Sequence, residues 1–267
     1  MTNDSGTHRD LDGWADLLAD AYAALESGST SGLPDLPPTL NDLSIEDAYR
    51  VQDLTLDRLR ATYGSTGRGY KVGGGAKLMC GVVLNSRLLD SGVTVDIHAN
   101  NVPLVEPEIL LRTTADLSGD VSTDEIAADV EMGAGFELPI GRFRSWHPMA
   151  PGAMITLTSM VADNGLAGLL VQGGTWRPGL DPAELANLTA DVQAPGQPSQ
   201  TGRANPKVGT AYDTTKWLIS NLADRDRVLP KGSIIATGTL LPATPAVPGD
   251  YSATFSHDLG EVRFTAI

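Results

Sequence analysis

The sequence predicts an α+β protein, helical at its start and β-rich for most of its length. Three observations carry this. Apolar residues recur at helical spacing through the first sixty residues. From residue 69 the apolar runs shorten and are separated by Gly, Pro, Asn and Asp, the pattern of strands and turns. The 267 residues include 29 Gly and 17 Pro but only 4 Phe, a composition rich in turns. The chain therefore divides into a helical N-terminal region, 1–63, and a β-rich main domain, 64–267.

Residues 1–10 are polar and read as a frayed end. Trp14, Leu17, Leu18, Ala21, Tyr22 and Leu25 mark one face of a helix over 11–27. Ser27 to Pro38 is a Gly/Ser/Pro linker. Ser44 opens a second helix with Asp47 three residues on, a variant of the capping box, and Tyr49, Val51, Leu54, Leu56 and Leu59 carry it to about Tyr63. Strand-like runs follow at Gly81–Leu84, Val102–Leu111, Met154–Val161 and Gly168–Gln172. Asp181 to Pro206 reads as a long polar excursion rich in Pro, Gly and Gln. A third helix spans Thr214–Ala223, with Trp217, Leu218 and Leu222 on one face. Strands at Ser233–Thr237, Tyr251–Phe255 and Glu261–Phe264 close the chain.

A formal net charge of −14 disfavours nucleic acid as a partner, since phosphate binding needs clustered Lys and Arg. No run reaches the roughly 20 apolar residues of a membrane span, so no membrane partner is expected. No secretory h-region is visible. The single cysteine, Cys80, rules out an intrachain disulfide and fits a reducing, cytoplasmic setting. Its apolar neighbours mark it as a packing thiol.

Val105-Glu106-Pro107-Glu108-Ile109 is the segment richest in chemistry. On a strand, side chains alternate, so Glu106 and Glu108 share one face. Two like charges side by side in an apolar run are costly unless a cation lies between them, and a hard divalent ion is the simplest candidate. The opposing reading is an edge strand with two solvated acids, which Pro107 supports because it removes a ladder donor. Phe136-Glu137-Leu138 supplies a third acid in an apolar stretch, with Glu131 as its rival. Three carboxylates would complete an octahedral Mg2+ or Mn2+ site with waters or substrate oxygens.

The glycine-rich stretch Gly67 to Lys77 is neither a Walker loop nor a dinucleotide fingerprint, but its glycines allow close approach to Lys71. Partial burial would lower the Lys71 pKa and suit it to proton transfer; an exposed loop lysine is the alternative. The histidines, His8, His98, His147 and His257, read as tail or loop residues, and no pair has metal-ligand spacing.

These residues resemble the 2-keto-4-pentenoate hydratase and 4-oxalocrotonate decarboxylase family of the fumarylacetoacetate hydrolase superfamily, over about Leu11 to the C-terminus. The markers are Ser44 to Gln52, Gly69-Tyr70-Lys71-Val72-Gly73, Glu106-Pro107-Glu108, Phe136-Glu137-Leu138 with Arg142 and Trp146, Ala162-Asp163-Asn164, and Thr237-Gly238-Thr239-Leu240 followed by Pro248-Gly249-Asp250. The resemblance implies a fumarylacetoacetate hydrolase-like mixed β-roll as catalytic domain, a small helical N-terminal region and a homo-oligomer. It implies a divalent metal on Glu106, Glu108 and Glu137, Lys71 near the substrate, and Thr239 and Gly73 in substrate binding. The substrates are 2-oxo or 2-hydroxydienoic acids.

This chain departs from the family pattern after the lysine. Gly74-Gly75-Ala76 replaces the usual hydroxyl-bearing segment, Val83 to Arg87 carries Asn85 where an acid is usual, and Pro139-Ile140-Gly141 precedes Arg142. The leading expectation is a hydratase that adds water to a 2-hydroxy-2,4-dienoate. Alternatives are a decarboxylase of an oxalocrotonate-like diacid, a recruited biosynthetic paralogue, or a non-catalytic partner subunit. An acylpyruvate C–C hydrolase is disfavoured, because no His lies between His8 and His98.

Overall fold

Two helices open the chain where the periodicity places them. α1 (Leu11–Glu26) is capped by Asp10, whose carboxylate accepts from Gly13 N at 2.8 Å, and it buries Ala15, Leu18, Ala21, Tyr22 and Leu25. α2 (Ile45–Tyr63) starts at Ser44, whose hydroxyl accepts from Asp47 N at 3.0 Å, and stops at Gly64 in the left-handed region. The computed structural model describes residues 10–64, 67–74, 77–144, 146, 155–203 and 209–267. His8, Gly75, Ala76, His147 and Met154 lie outside them.

The strands are β1 (Gly69–Gly73), β2 (Met79–Val83), β3 (Leu88–Asp90), β4 (Val93–Val95) and β5 (Leu104–Thr113). A short helix, α3 (Thr123–Ala128), leads into β6 (Val130–Leu138), and α4 (Leu157–Ala162) precedes β7 (Leu169–Gln172) and β8 (Arg177–Pro178). Then come α5 (Pro182–Ala186), β9 (Thr189–Gln193), β10 (Gln200–Arg203) and α6 (Ala211–Ala223). β11 (Ile234–Thr239), β12 (Thr244–Pro245), β13 (Gly249–Phe255) and β14 (Gly260–Ala266) complete the chain.

One sheet runs β2-β1-β11-β5-β6-β7-β3, with β12 on β5 and β8 on β6; the other runs β10-β9-β13-β14-β4. Both are mixed: β1 pairs parallel with β11, β3 with β7 and β4 with β14. The sheets meet face to face through aromatic rings. Phe136 of β6 lies edge-on to Phe264 at 5.3 Å and to Tyr251 at 6.5 Å. Alternation on β5 then turns Val105, Ile109 and Leu111 into this core, which the helices share through Leu18, Leu25 and Val51. Glu106 and Glu108 are turned to the opposite face.

Three expectations are corrected. The run Met154–Val161 was expected as a strand, but residues 157–162 form α4, closed by a capping box between Thr156 and Ser159. A short apolar run does not by itself distinguish a strand from a buried helix turn. The polar excursion Asp181–Pro206 contains α5, β9 and β10, and β9 joins β13 to β10. Its period of two, with Ala190 and Val192 buried between exposed Asp191 and Gln193, is masked by polar composition.

The third correction concerns Pro107. β5 is no edge strand; it lies between β11 and β6. The Pro107 carbonyl accepts from Leu240 N at 3.0 Å, so its missing donor also faces the β11 side. There the β11–β5 register breaks between Ala236 and Thr239, and a proline is tolerated in mid-sheet.

Gly81 on β2 allows the segment 163–166 to lie directly on the strand, since a Cβ there would stand 1.9 Å from the Asn164 carbonyl oxygen. Gly81→Ala is expected to lower the unfolding free energy by about 3 kcal/mol. The urea midpoint would fall with an unchanged slope.

Candidate metal centre and its cavity

Sheet register brings the three acids together. Glu106 of β5 stands directly opposite Glu137 of β6, and Glu108 follows two residues along β5 on the same face. One carboxylate oxygen from each lies within 4.8 Å of the other two. Glu108 and Glu137 are 0% and 1% exposed, and Glu106 is half-buried. Glu131, the rival, is six residues down β6 and pairs with Arg112 at 2.6 Å.

Lys71 reaches the same point from β1, its Nζ 2.9 Å from Glu137 Oε1. β1 and β6 are separated by β11 and β5, so a flat sheet would hold them about 14 Å apart. The contact therefore requires the sheet to coil, with Lys71 and the acids on its concave side. Burial pushes the Lys71 ammonium down, but Glu137, then Glu106 and Glu108, outweigh it and hold the pKa above its ordinary value. The expectation of a lowered lysine pKa is corrected: coiling places the side chain among carboxylates, not among apolar groups alone.

The acids shift upward. Glu106 is pushed up to about 7, by burial first and then by Glu137, against the pull of Lys71. Burial followed by Glu137 and Glu106 raises Glu108, opposed by its hydrogen bond from Gly238 N at 2.6 Å. Burial raises Glu137, opposed by Lys71. Glu108 Oε1 accepts no hydrogen bond among the described residues. One ammonium thus faces three carboxylates, with a buried oxygen left unpartnered. That donor set and deficit of positive charge fit a hard divalent cation.

A cavity of about 370 Å3 opens over the acids. Its polar side includes Lys71, Gly73, Glu106, Glu108, Thr237, Gly238 and Thr239; Met79, Leu104, Trp146, Met160 and Leu166 form much of the apolar side. Gly73 leaves room beside the lysine, since a Cβ there would stand 3.2 Å from Lys71 Nζ. The Thr239 hydroxyl lies 2.6 Å from the Leu241 carbonyl and 3.3 Å from that of Pro107. All six residues expected in the site are brought together. Asn85 is not among them: it is exposed, and its side chain accepts from Arg68 N at 2.9 Å. His98 and His257 are exposed. Cys80 is buried, as expected of a packing thiol.

The sequence reading missed the Gly238 donor. Gly238 has φ of +114°, a region open mainly to glycine, and this aims its N–H at Glu108. The signal was Thr237-Gly238-Thr239 interrupting a strand, where an interior glycine marks a bulge.

The coiled mixed sheet gives the chain a fumarylacetoacetate hydrolase-like fold, with the carboxylate cluster and the buried lysine on its concave side. No family model matches the chain. It is 29% identical over 86% of its length to the 2-hydroxyhexa-2,4-dienoate hydratase of Comamonas testosteroni, covering 88% of that protein. It is 26% identical over 91% of its length to the 2-keto-4-pentenoate hydratase of Paraburkholderia xenovorans, covering 90% of it. The structure of 4-oxalocrotonate decarboxylase from Pseudomonas putida G7, complexed with magnesium and adipate, superposes with a TM-score of 0.79 at 22% identity, over 96% of this chain and 97% of that one. By sequence the chain is thus similar to 2-keto-4-pentenoate hydratases and 4-oxalocrotonate decarboxylases, and it shares its fold with the decarboxylase.

The raised carboxyl pKa values make a signed prediction. The native state keeps protons on Glu106 between 4.5, the ordinary value, and about 7, where the unfolded chain has lost them. Stability without divalent cation therefore falls as pH rises through that interval. A cation binds the ionised carboxylates, so its stabilising increment grows over the same interval. Thermal unfolding in EDTA and in excess Mg2+, from about pH 5 to about pH 8, checks both. Stability in EDTA that climbs across the interval would contradict the assignment.

Proposed function

We propose that the protein is a divalent-cation-dependent lyase of the hydratase type, which adds water to a 2-hydroxydienoic acid related to a 2-oxo acid. The observation that carries this is the convergence of Glu106, Glu108, Glu137 and Lys71 in one cavity with an apolar wall. A cation of the Mg2+ or Mn2+ type held there would supply Lewis-acid stabilisation of negative charge on the substrate.

The residues of the chain do the rest. Gly238 N–H fixes the Glu108 carboxylate, and Lys71 compensates Glu137. Lys71 Nζ stands at the cavity surface beside Gly73, within reach of a small substrate, and carries the proton that a reaction at the adjacent carbon requires. Thr239 and Gly73 border the space for the polar head of the substrate, and Trp146, Met160 and Leu166 border the space for its tail. Every residue in this reading lies in 64–267, taken as the catalytic domain, with 1–63 as its helical N-terminal region. A cytoplasmic setting is part of the same reading. Among the described residues no helix is long and apolar enough to cross a membrane. A homo-oligomer is part of the same reading, and sedimentation velocity tests it.

A second reading is decarboxylation of a 2-oxo diacid. It is favoured by the exposure of Asn85, which leaves Lys71 and the three glutamates as the ionisable side chains bordering or beside the cavity among the described residues. Loss of CO2 asks for less proton-transfer machinery than hydration.

Incubation with 2-hydroxypentadienoate and with oxalocrotonate in Mg2+, followed by ultraviolet absorbance and mass, separates the readings by gain of water or loss of CO2. No change with either acid would overturn both and leave a recruited paralogue with another substrate or a non-catalytic subunit. Lys71→Met is expected to lower kcat by at least about a hundredfold while calorimetric Mg2+ binding persists. Unchanged turnover would remove Lys71 from the chemistry. Glu106→Ala is expected to abolish both Mg2+ binding and turnover.

A further inference from the structure

Among the described residues Arg142 is the largest fully buried side chain, and it lies outside the acid cluster. Its guanidinium donates from Nη1 to the Ile140 carbonyl at 2.5 Å and to the Asp163 carbonyl at 3.3 Å, and from Nη2 to the Ala167 carbonyl. Its own N–H donates to Asp163 Oδ2 at 2.8 Å, and Nη1 stands 3.4 Å from Asp163 Oδ1. Its plane stacks on the ring of Tyr22 from α1, 4.1 Å to the centroid. One arginine thus fastens the segment after β6 to the segment between α4 and β7.

Both segments present cavity residues. Trp146 comes from the first and Leu166 from the second. Leu166 follows Asn164 and Gly165 in three successive left-handed residues, at φ of 59°, 52° and 60° respectively. Asn and Gly adopt this region readily, but it is strained for Leu166 and persists there only where the surroundings impose it. The surroundings here are the Arg142 bonds to Asp163 and Ala167 on either side of the run. They also include the Asn164 amide, which donates to Tyr22 OH at 2.5 Å and to the Val82 carbonyl at 2.8 Å. Trp146 in turn is seated on Gly141, immediately before Arg142, where a Cβ would meet the indole at 2.1 Å.

We propose that Arg142, clamped to Asp163 and stacked on Tyr22, is a positioning residue that sets the apolar wall of Trp146 and Leu166, and through it the preference for the tail of the substrate. This rests on the reading of the cavity as a 2-oxo acid site. The clamp touches none of Glu106, Glu108 or Lys71, so it acts on the tail and leaves the polar head to the acids and cation.

The test uses pyruvate and 2-oxohexanoate as probes, which share a head and differ in tail. Their affinities are measured by calorimetry in saturating Mg2+ for the wild type, Arg142→Lys and Gly141→Ala. The wild type is expected to bind 2-oxohexanoate more tightly than pyruvate. Arg142→Lys is expected to keep Mg2+ and pyruvate affinity and to lose about tenfold of the advantage given by the tail. Gly141→Ala retains Arg142 and Asp163 but displaces the indole, and it is expected to give the same selective loss. It also carries the test if Arg142→Lys does not fold. Equal weakening of both acids, or a tail advantage that survives in the variants, overturns this inference alone. A wild type that binds neither acid overturns the functional reading and the inference with it.

Discussion

Holding oxygens of the buried Glu108 and Glu137 and the half-buried Glu106 within 4.8 Å of one another is unfavourable in itself, because each carboxylate loses water and repels its neighbours. The rest of the architecture offsets that cost. Antiparallel register places Glu106 opposite Glu137, coiling of the sheet delivers Lys71, and a break in the β11–β5 register frees Gly238 N–H for Glu108. None of these is a contact between sequence neighbours. The site exists because the sheet is rigid enough to hold like charges together that an isolated strand would release to solvent.

The compensation is incomplete in a useful way. One ammonium and one backbone donor serve three carboxylates, and Glu108 Oε1 stays unpartnered among the described residues. A centre whose charges were fully paired would have little affinity for a cation. The opposite face of β5 and β6 packs on the second sheet, where Phe136 meets Tyr251 and Phe264, themselves stacked 4.8 Å between centroids.

The helical region takes part in this construction. Tyr22 of α1 lies under Arg142, Gln52 of α2 donates to the Cys80 and Val161 carbonyls, and Arg225, just beyond α6, reaches Gln52 and stacks on Tyr49. These buried polar side chains tie helices to the strand and loop backbone that borders the cavity. They are costly to bury singly and hold because most of their donors are satisfied.

Much was legible from sequence. Periodicity located α1 and α2, alternation put Glu106 and Glu108 on one face, and the acid in Phe136-Glu137-Leu138 marked the third member of the cluster, because these signals depend on neighbours a few residues apart. What sequence could not decide was which face each strand buries, and whether Pro107 sits at an edge or in mid-sheet. Nor could it decide whether the lysine meets solvent, apolar groups or Glu137. Those outcomes depend on strand order, register and coil, which join residues scores of positions apart; Lys71 and Glu137 meet across two intervening strands. Residue types along the chain set the chemistry available to this protein, and strand order, register and coil gather that chemistry at one point.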